Sequence, residues 1–288
     1  MIIRNNITEV AYNLQTTVDA ENNIPIDYKL TQNNDSKAMG NMLQRAKTIL
    51  RSNQFTALYD KGYHTGSEFQ IANRLGIKTI VAIPGAAAQA PNPEYNVGNF
   101  KYDKLGDYYT CPQNQKLTTN GKWHKARTYL FKRYTTKACA NCRVKDQCSK
   151  AKCGKAIQRS EHQDLIDKNR QRVQLNQTYY KRRQAIVEHP YGTIKRQWGF
   201  NHIMTKKGIG RASADVGLLM TAYNLRRIIN IVGLKVLIKW AKQQMFAFFK
   251  LRLIHEPKWA EIREPILFLN KYFVNFYVCF KPLYLRLN

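Results

Sequence analysis

Apolar and polar positions change period several times along the first third of the chain. Residues 10–18 are rich in aromatic and β-branched side chains. The polar run Asp19-Ala20-Glu21-Asn22-Asn23 interrupts them, and Ile24, Ile26, Tyr28 and Leu30 then fall on one face at period two. This pattern predicts a β-hairpin. Asn34-Asp35-Ser36 supplies an N-cap, and Met39, Met42, Leu43, Ala46, Ile49 and Leu50 follow at helical spacing. A short apolar strand over 55–59 ends at Asp60 and is broken by Lys61-Gly62-Tyr63. Thr65 or Ser67 can cap a helix running to Leu75, with Gly76 as its stop. Residues 78–84 then form a continuous apolar run of the buried parallel type. Strands and helices alternating at this spacing predict an α/β sheet with covering helices.

Pro, Gly and Ala punctuate residues 85–160, which read as a loop-rich insertion without a core of its own. Helical pattern returns over 165–189, where Pro190 and Gly192 end or kink it. A second helix is expected over 213–232, with Val216, Leu218, Leu219, Ala222, Leu225, Ile228, Ile229 and Ile231 as a broad apolar stripe. The segment after Gly233 is aromatic and basic. The expected division is a core segment 1–84, a cysteine-rich insertion 85–164, a helical second part of the core 165–233 and a tail 234–288.

Charge narrows the function classes. Lys and Arg total 47 against 19 Asp and Glu, a formal net charge of +28. That excess points to a polyanionic partner, nucleic acid first and an acidic membrane surface second. The start of the chain lacks the pattern of a signal peptide. The longest apolar stretch, 265–280, is interrupted by Asn270, Lys271 and Asn275, so no spanning helix is expected. A cytoplasmic, nucleoid-associated protein is the expectation. Five of the six cysteines cluster between Cys111 and Cys153, as metal ligands in a reducing compartment do.

Two carboxylates stand out. Asp60 sits at the carboxyl end of a strand, where sites form in open α/β sheets and where a carboxylate can hold a metal. The bland reading is a turn aspartate before glycine. Glu188 is the only acid between Lys168 and Arg211, a stretch with eleven Lys and Arg. It is either one ion pair relieving repulsion or a metal-binding carboxylate beside a phosphate-binding surface. In the second case the cations track a DNA backbone, and Tyr180, Trp198 and Phe200 stack on bases.

The spacing Tyr180-x2-Arg183-x4-Glu188-x6-Lys195 resembles the Tyr-(2)-Arg-(3)-Glu-(6)-Lys signature of bacterial insertion-sequence transposases of the DDE type, with one extra residue before the glutamate. The surrounding text, from Ile186 to Arg196, closely resembles one branch of that group. So do Asp60-Lys61-Gly62-Tyr63 after a strand, the cysteine-rich insertion, and the helix Leu219-Met220-Thr221-Ala222-Tyr223-Asn224-Leu225-Arg226-Arg227. The resemblance covers roughly residues 11–233.

It implies a ribonuclease H-like mixed sheet with covering helices, interrupted by the cysteine-rich insertion. Three carboxylates would grip two Mg2+ or Mn2+ ions for phosphoryl transfer. Asp60 matches the second acid and Glu188 the third. Tyr180, Arg183, Lys195 and Arg196 match DNA-contacting positions. The implied partner is double-stranded DNA at the element ends, bound as a homodimer, with no membrane role. The first acid lies on a strand that precedes the hairpin in this family. The chain is therefore expected to be a C-terminal portion, with Asp19 the alternative first acid. A catalytically dead DNA-binding remnant is the second reading. A membrane-surface protein using residues 235–288 is the third.

Cys139-x2-Cys142 is a half-site for tetrahedral zinc. Cys111 and Cys148 complete a four-cysteine set, with Cys153 or His124 as substitutes. Reduced free thiols in a loop are the alternative. A structural Zn2+ would pin the insertion, and Cys279 reads as an ordinary buried thiol.

Overall fold

In the computed structural model, residues 2–3, 7–8, 12–32, 34–85, 89–200, 203 and 208–254 are described. The stretch holding Cys279 lies outside them. A short pairing of β1 (Ile2–Ile3) with β2 (Ile7–Thr8) precedes the predicted hairpin, β3 (Asn13–Val18) with β4 (Pro25–Thr31). Its turn closes through Asp19, whose N–H donates to the Ile24 carbonyl at 2.9 Å and whose Oδ2 accepts the Asn22 N–H at 2.7 Å. Asn23 takes the left-handed conformation that asparagine tolerates in turns (φ 55°).

Helix α1 (Met39–Leu50) follows a 3₁₀ turn over Asp35–Lys37. Asn34 caps that turn and not the helix, whose N-cap Ala38 offers no side-chain bond. The carboxylate of buried Glu68 does the work instead, accepting the Gly40 N–H at 2.6 Å. An anion at a helix N-terminus also complements the macrodipole. Glu68 belongs to α2 (Gly66–Leu75), which joins β5 (Thr56–Tyr59) to β6 (Lys78–Val81). The two strands pair in parallel, Thr56 opposite Lys78 through Tyr59 opposite Val81. Met39, Leu43, Phe69, Ala72, Ile77 and Val81 form the core beneath this unit. The strand–helix–strand reading therefore stands, although β6 stops short of Pro84. The described strands fall into five small sheets of two or three strands, and the fold is mixed α/β.

The cysteine-rich segment corrects an expectation. It carries two three-stranded antiparallel sheets: β7 (Lys101–Asp103), β8 (Tyr108–Thr110) and β9 (Lys116–Leu117), then β10 (Trp123–Lys125), β11 (Leu130–Tyr134) and β12 (Ile157–Ser160). These strands bury a core of their own, Phe100, Tyr109, Leu117, Tyr134 and Ile157. The sequence hides it because the strands are short and the core residues are spread over nearly sixty positions, from Phe100 to Ile157. Helix α3 (Lys145–Cys148) lies within the segment.

The single helix expected over 165–189 is two, α4 (Gln163–Leu175) and α5 (Gln177–Gly192). Asn176 ends the first by turning its Nδ2 onto the Arg172 carbonyl at 2.8 Å. Pro190 sits inside α5, and the chain widens into a π-turn over Thr193–Gln197. A proline removes one helical N–H, which a wider turn accommodates.

The described residues divide into two compact units: those within 1–17 and 29–188, and those within 18–28 and 189–254. In the second, α6 (Ile209–Val232) buries Ala212, Val216, Met220 and Tyr223. This stripe is narrower than the predicted one, for Leu218 is 72% and Leu225 50% exposed. The hairpin turn docks along it. Tyr223 donates to the Asn23 carbonyl at 3.0 Å, Asn224 to that of Pro25 at 2.9 Å, and Arg227 to that of Asn22 at 2.7 Å. Gly217 leaves room for the Tyr28 hydroxyl, which a Cβ at that position would displace. Helix α7 (Leu234–Ile254) follows Gly233, which has φ 83°. Among the described residues no helix is long and apolar enough to cross a membrane.

Candidate functional site

Strand β5 delivers Asp60 at its carboxyl end. The carboxylate accepts the Gly62 N–H at 2.8 Å, which caps a 3₁₀ turn over Lys61–Tyr63. A Cβ on Gly62 would stand 3.1 Å from Asp60 Oδ1 and 3.3 Å from Asp35 Oδ2, so two carboxylates converge on this glycine. Asp35 is fixed there by the amides of Asn13 and Gln15, each donating at 2.7 Å. Tyr63 in turn donates to Gln15. The sequence offered only a capping role for Asp35. Its approach to Asp60 depends on tertiary contacts that no local pattern records.

Helix α5 carries Tyr180, Arg183 and Glu188. The Tyr180 hydroxyl donates to the main-chain carbonyl of Tyr59 at 2.9 Å, the residue before Asp60. Burial raises the Tyr180 hydroxyl above its ordinary pKa, with Arg183 opposing and Asp60 adding to the rise. Asp60, Tyr180 and Arg183 are thus electrostatic neighbours. The Arg183 guanidinium lies 5.8 Å from the Tyr180 ring, and its Nε is buried without a hydrogen-bond partner.

Glu188 is placed differently. The extra residue in the spacing turns it by about 100° around the helix relative to Arg183, compared with the pattern it resembles. It is exposed, and Gln184 Nε2 donates to it at 2.8 Å. Lys195 and Arg196 lie in the π-turn of the second unit, both exposed, with Lys195 Nζ 5.3 Å from the Tyr191 ring. Asp19 is a hairpin-turn residue whose carboxylate is occupied by the Asn22 N–H.

Cys111, Cys139, Cys142, Cys148 and Cys153 are all free thiols. Cys111 follows β8 in a turn where the Gln115 N–H donates to its sulfur at 3.3 Å. Cys139 ends a 3₁₀ turn, and Cys148 ends α3. Cys111 and Cys148 both pack on the aromatic core. Burial raises the Cys148 thiol pKa. Lys155 lowers it, and the nearby Cys139, Cys111 and Cys142 raise it further. Cys153 is exposed, and His124 packs against Phe131 with ring centroids 5.5 Å apart. Among the described residues, no group of three or more His, Cys, Asp or Glu side chains is disposed to hold a metal ion. The four thiols are neighbours without being closed around a centre, and Asp60 and Glu188 do not by themselves complete a two-ion site.

A family model described as a transposase DDE domain matches residues 110–229. The match covers less than half of the chain and supports a DDE transposase. It spans both the cysteine-rich segment and the α5 signature. No curated protein matches the chain, and no solved structure does.

Proposed function

We propose that this chain serves an insertion sequence as a DDE-type transposase, engaging double-stranded DNA at the element ends as a homodimer. The core of residues 1–84 and 165–233 would take a ribonuclease H-like arrangement, with residues 85–164 inserted into it. Asp60 and Glu188 are the carboxylates assigned to Mg2+ or Mn2+. Tyr180, Arg183, Lys195 and Arg196 are assigned to DNA phosphates and bases. Cys111, Cys139, Cys142 and Cys148 are assigned to a structural Zn2+.

One observation carries the reading. The hydrogen bond from Tyr180 to the Tyr59 carbonyl joins the Tyr-Arg signature to the strand end bearing Asp60, across 121 residues. The same stretch of helix brings Arg183 beside the Tyr180 ring, with its Nε buried and without a hydrogen-bond partner. When bound, a pair of divalent ions supplies activation of an attacking oxygen and stabilisation of a leaving one. Among the described residues no group of three or more His, Cys, Asp or Glu side chains is disposed to hold a metal ion, so the reading calls for a third carboxylate beside Asp60 and Glu188.

A second reading, DNA binding without cleavage, is favoured by the outward placement of Glu188. The two separate in one assay on supercoiled DNA bearing element ends, with Mg2+ or Mn2+. Nicking by the native chain, lost in Glu188→Gln with DNA affinity retained, supports the transposase reading. Equal nicking by that variant overturns the role of Glu188. Salt-steep binding with no nicking by the native chain establishes the second reading.

A further inference from the structure

The cysteine-rich segment holds a cavity of about 710 Å³ that none of the assignments above uses. Its polar lining includes His124 from β10, Arg133 from β11, Thr135, Thr136, Lys137 and Asn120. No carboxylate lines it. Between Lys116 and Lys155 the sequence has twelve Lys and Arg and one acid, Asp146.

The sheet sorts its cations by face. Along a strand, successive side chains point to opposite sides. Lys132 points to the core side, where it pairs with Asp107 at 2.7 Å. Its cross-strand neighbour Arg159 bonds Asp167 at 3.2 Å and also Asp164. Arg133 points the other way, into the cavity. Neither its guanidinium nor the Lys137 ammonium forms an ion pair or side-chain hydrogen bond among the described residues. Phe131 shares the face of Arg133, and the His124 ring lies against it with an interplanar angle of 31°.

We infer that this cavity holds a phosphodiester segment of DNA, making the open face of β10 and β11 a second nucleic-acid contact of the chain. Two unpaired cations meet phosphate oxygens, the threonine hydroxyls and the asparagine amide donate to them, and the His124 ring, backed by Phe131, offers a face to a sugar or base. The cavity falls within the range of roughly 300–1,000 Å³ that takes a ligand of nucleotide size, well above a single inorganic anion. The inference extends the DNA-acting role proposed above and does not depend on Asp60 or Glu188.

The test measures duplex affinity of the full chain against salt for three proteins: native, Arg133→Ala/Lys137→Ala, and Lys150→Ala/Lys152→Ala. The last pair removes equal charge from exposed positions outside the cavity. The cavity variant is expected to bind about tenfold more weakly and to lose close to two units of the salt slope. The control is expected to lose far less, and melting of both variants should match the native chain. Equal losses in both variants overturn the inference, as does no loss in the cavity variant. Inorganic pyrophosphate is the competitor. Displacement of DNA from the native chain as readily as by an oligonucleotide assigns the cavity to free phosphates and overturns it. The nicking assay separates the two proposals. A chain that never nicks, yet loses affinity specifically in the cavity variant, refutes the catalytic reading alone.

Discussion

Asn169 reaches Val81 across 88 residues and satisfies both of its main-chain groups. Its Oδ1 accepts the Val81 N–H at 2.9 Å, and its Nδ2 donates to the Val81 carbonyl at 2.8 Å. The asparagine is fully buried on α4 and behaves as one more rung on the edge of β6. Truncation would leave a buried donor and a buried acceptor unpaired, at roughly 1–3 kcal/mol for each group. Asn169→Ala should therefore be among the most destabilising single changes in the first unit. Urea unfolding of the full chain measures it, and a loss under about 1 kcal/mol would show that water replaces the amide.

Such contacts mark the limit of what the sequence shows. The hairpin, α1, α2 and the parallel pair β5–β6 were legible because each follows a simple period between strong turn signals. Asp60 was legible because a strand followed by Asp-Lys-Gly is a local pattern. Asn169 and Asp35 were not, since an asparagine in a polar helix and an aspartate beside a serine look like surface residues. The insertion core was missed for a related reason: Tyr109, Tyr134 and Ile157 come from three short strands with no period long enough to read. The position of Glu188 was half legible. The extra residue is plain in the text, and its consequence needs the helix to be drawn.

The Tyr180 hydroxyl shares the Tyr59 carbonyl with the Ala82 N–H, which donates at 3.1 Å. Removing the hydroxyl leaves that carbonyl bonded, so Tyr180→Phe should cost only about 1 kcal/mol of stability. Its effect on DNA nicking should exceed its effect on DNA affinity, because the bond aligns the Arg183 region with the Asp60 strand end. Thermal melting, a binding titration and the plasmid assay on one preparation decide the matter. Parallel losses of affinity and nicking would place Tyr180 in DNA binding alone.

Asp107 gives the insertion a defined response to acid. It accepts from Lys132 at 2.7 Å and from Tyr102 at 2.8 Å, and Tyr134 also donates to it. The Lys132 ammonium first, then the Tyr134 hydroxyl, hold its carboxyl down at about 2. An unfolded aspartate titrates at about 3.9. A depressed folded value means stability that is complete above the unfolded pKa and lost as pH falls toward the folded one. The contribution of Asp107 should therefore vanish between about pH 4 and 2. Asp107→Asn should melt lower than the native chain at neutral pH and converge with it in acid. Melting curves that stay equally separated down to the lowest pH would contradict this.

The four cysteines call for a metal measurement. The turn after Cys111 presents the Gln115 N–H to its sulfur at 3.3 Å. Cys148 has three other thiols close enough to raise its pKa, a cost that a divalent cation would reverse by binding all four as thiolates. Full-length protein purified without chelator should then carry about one zinc per chain, released by a mercurial reagent and read with a colorimetric dye. Cys142→Ser should abolish the metal, and chelation should lower the melting temperature of the insertion. Cys153→Ser should keep it, because that exposed thiol lies outside the set. Equal loss in both variants would move the site to a different ligand set. Substoichiometric zinc in the native chain, with melting indifferent to chelator, would leave this segment held by the core of Tyr109, Leu117 and Tyr134 and by the bonds to Asp107, without a metal.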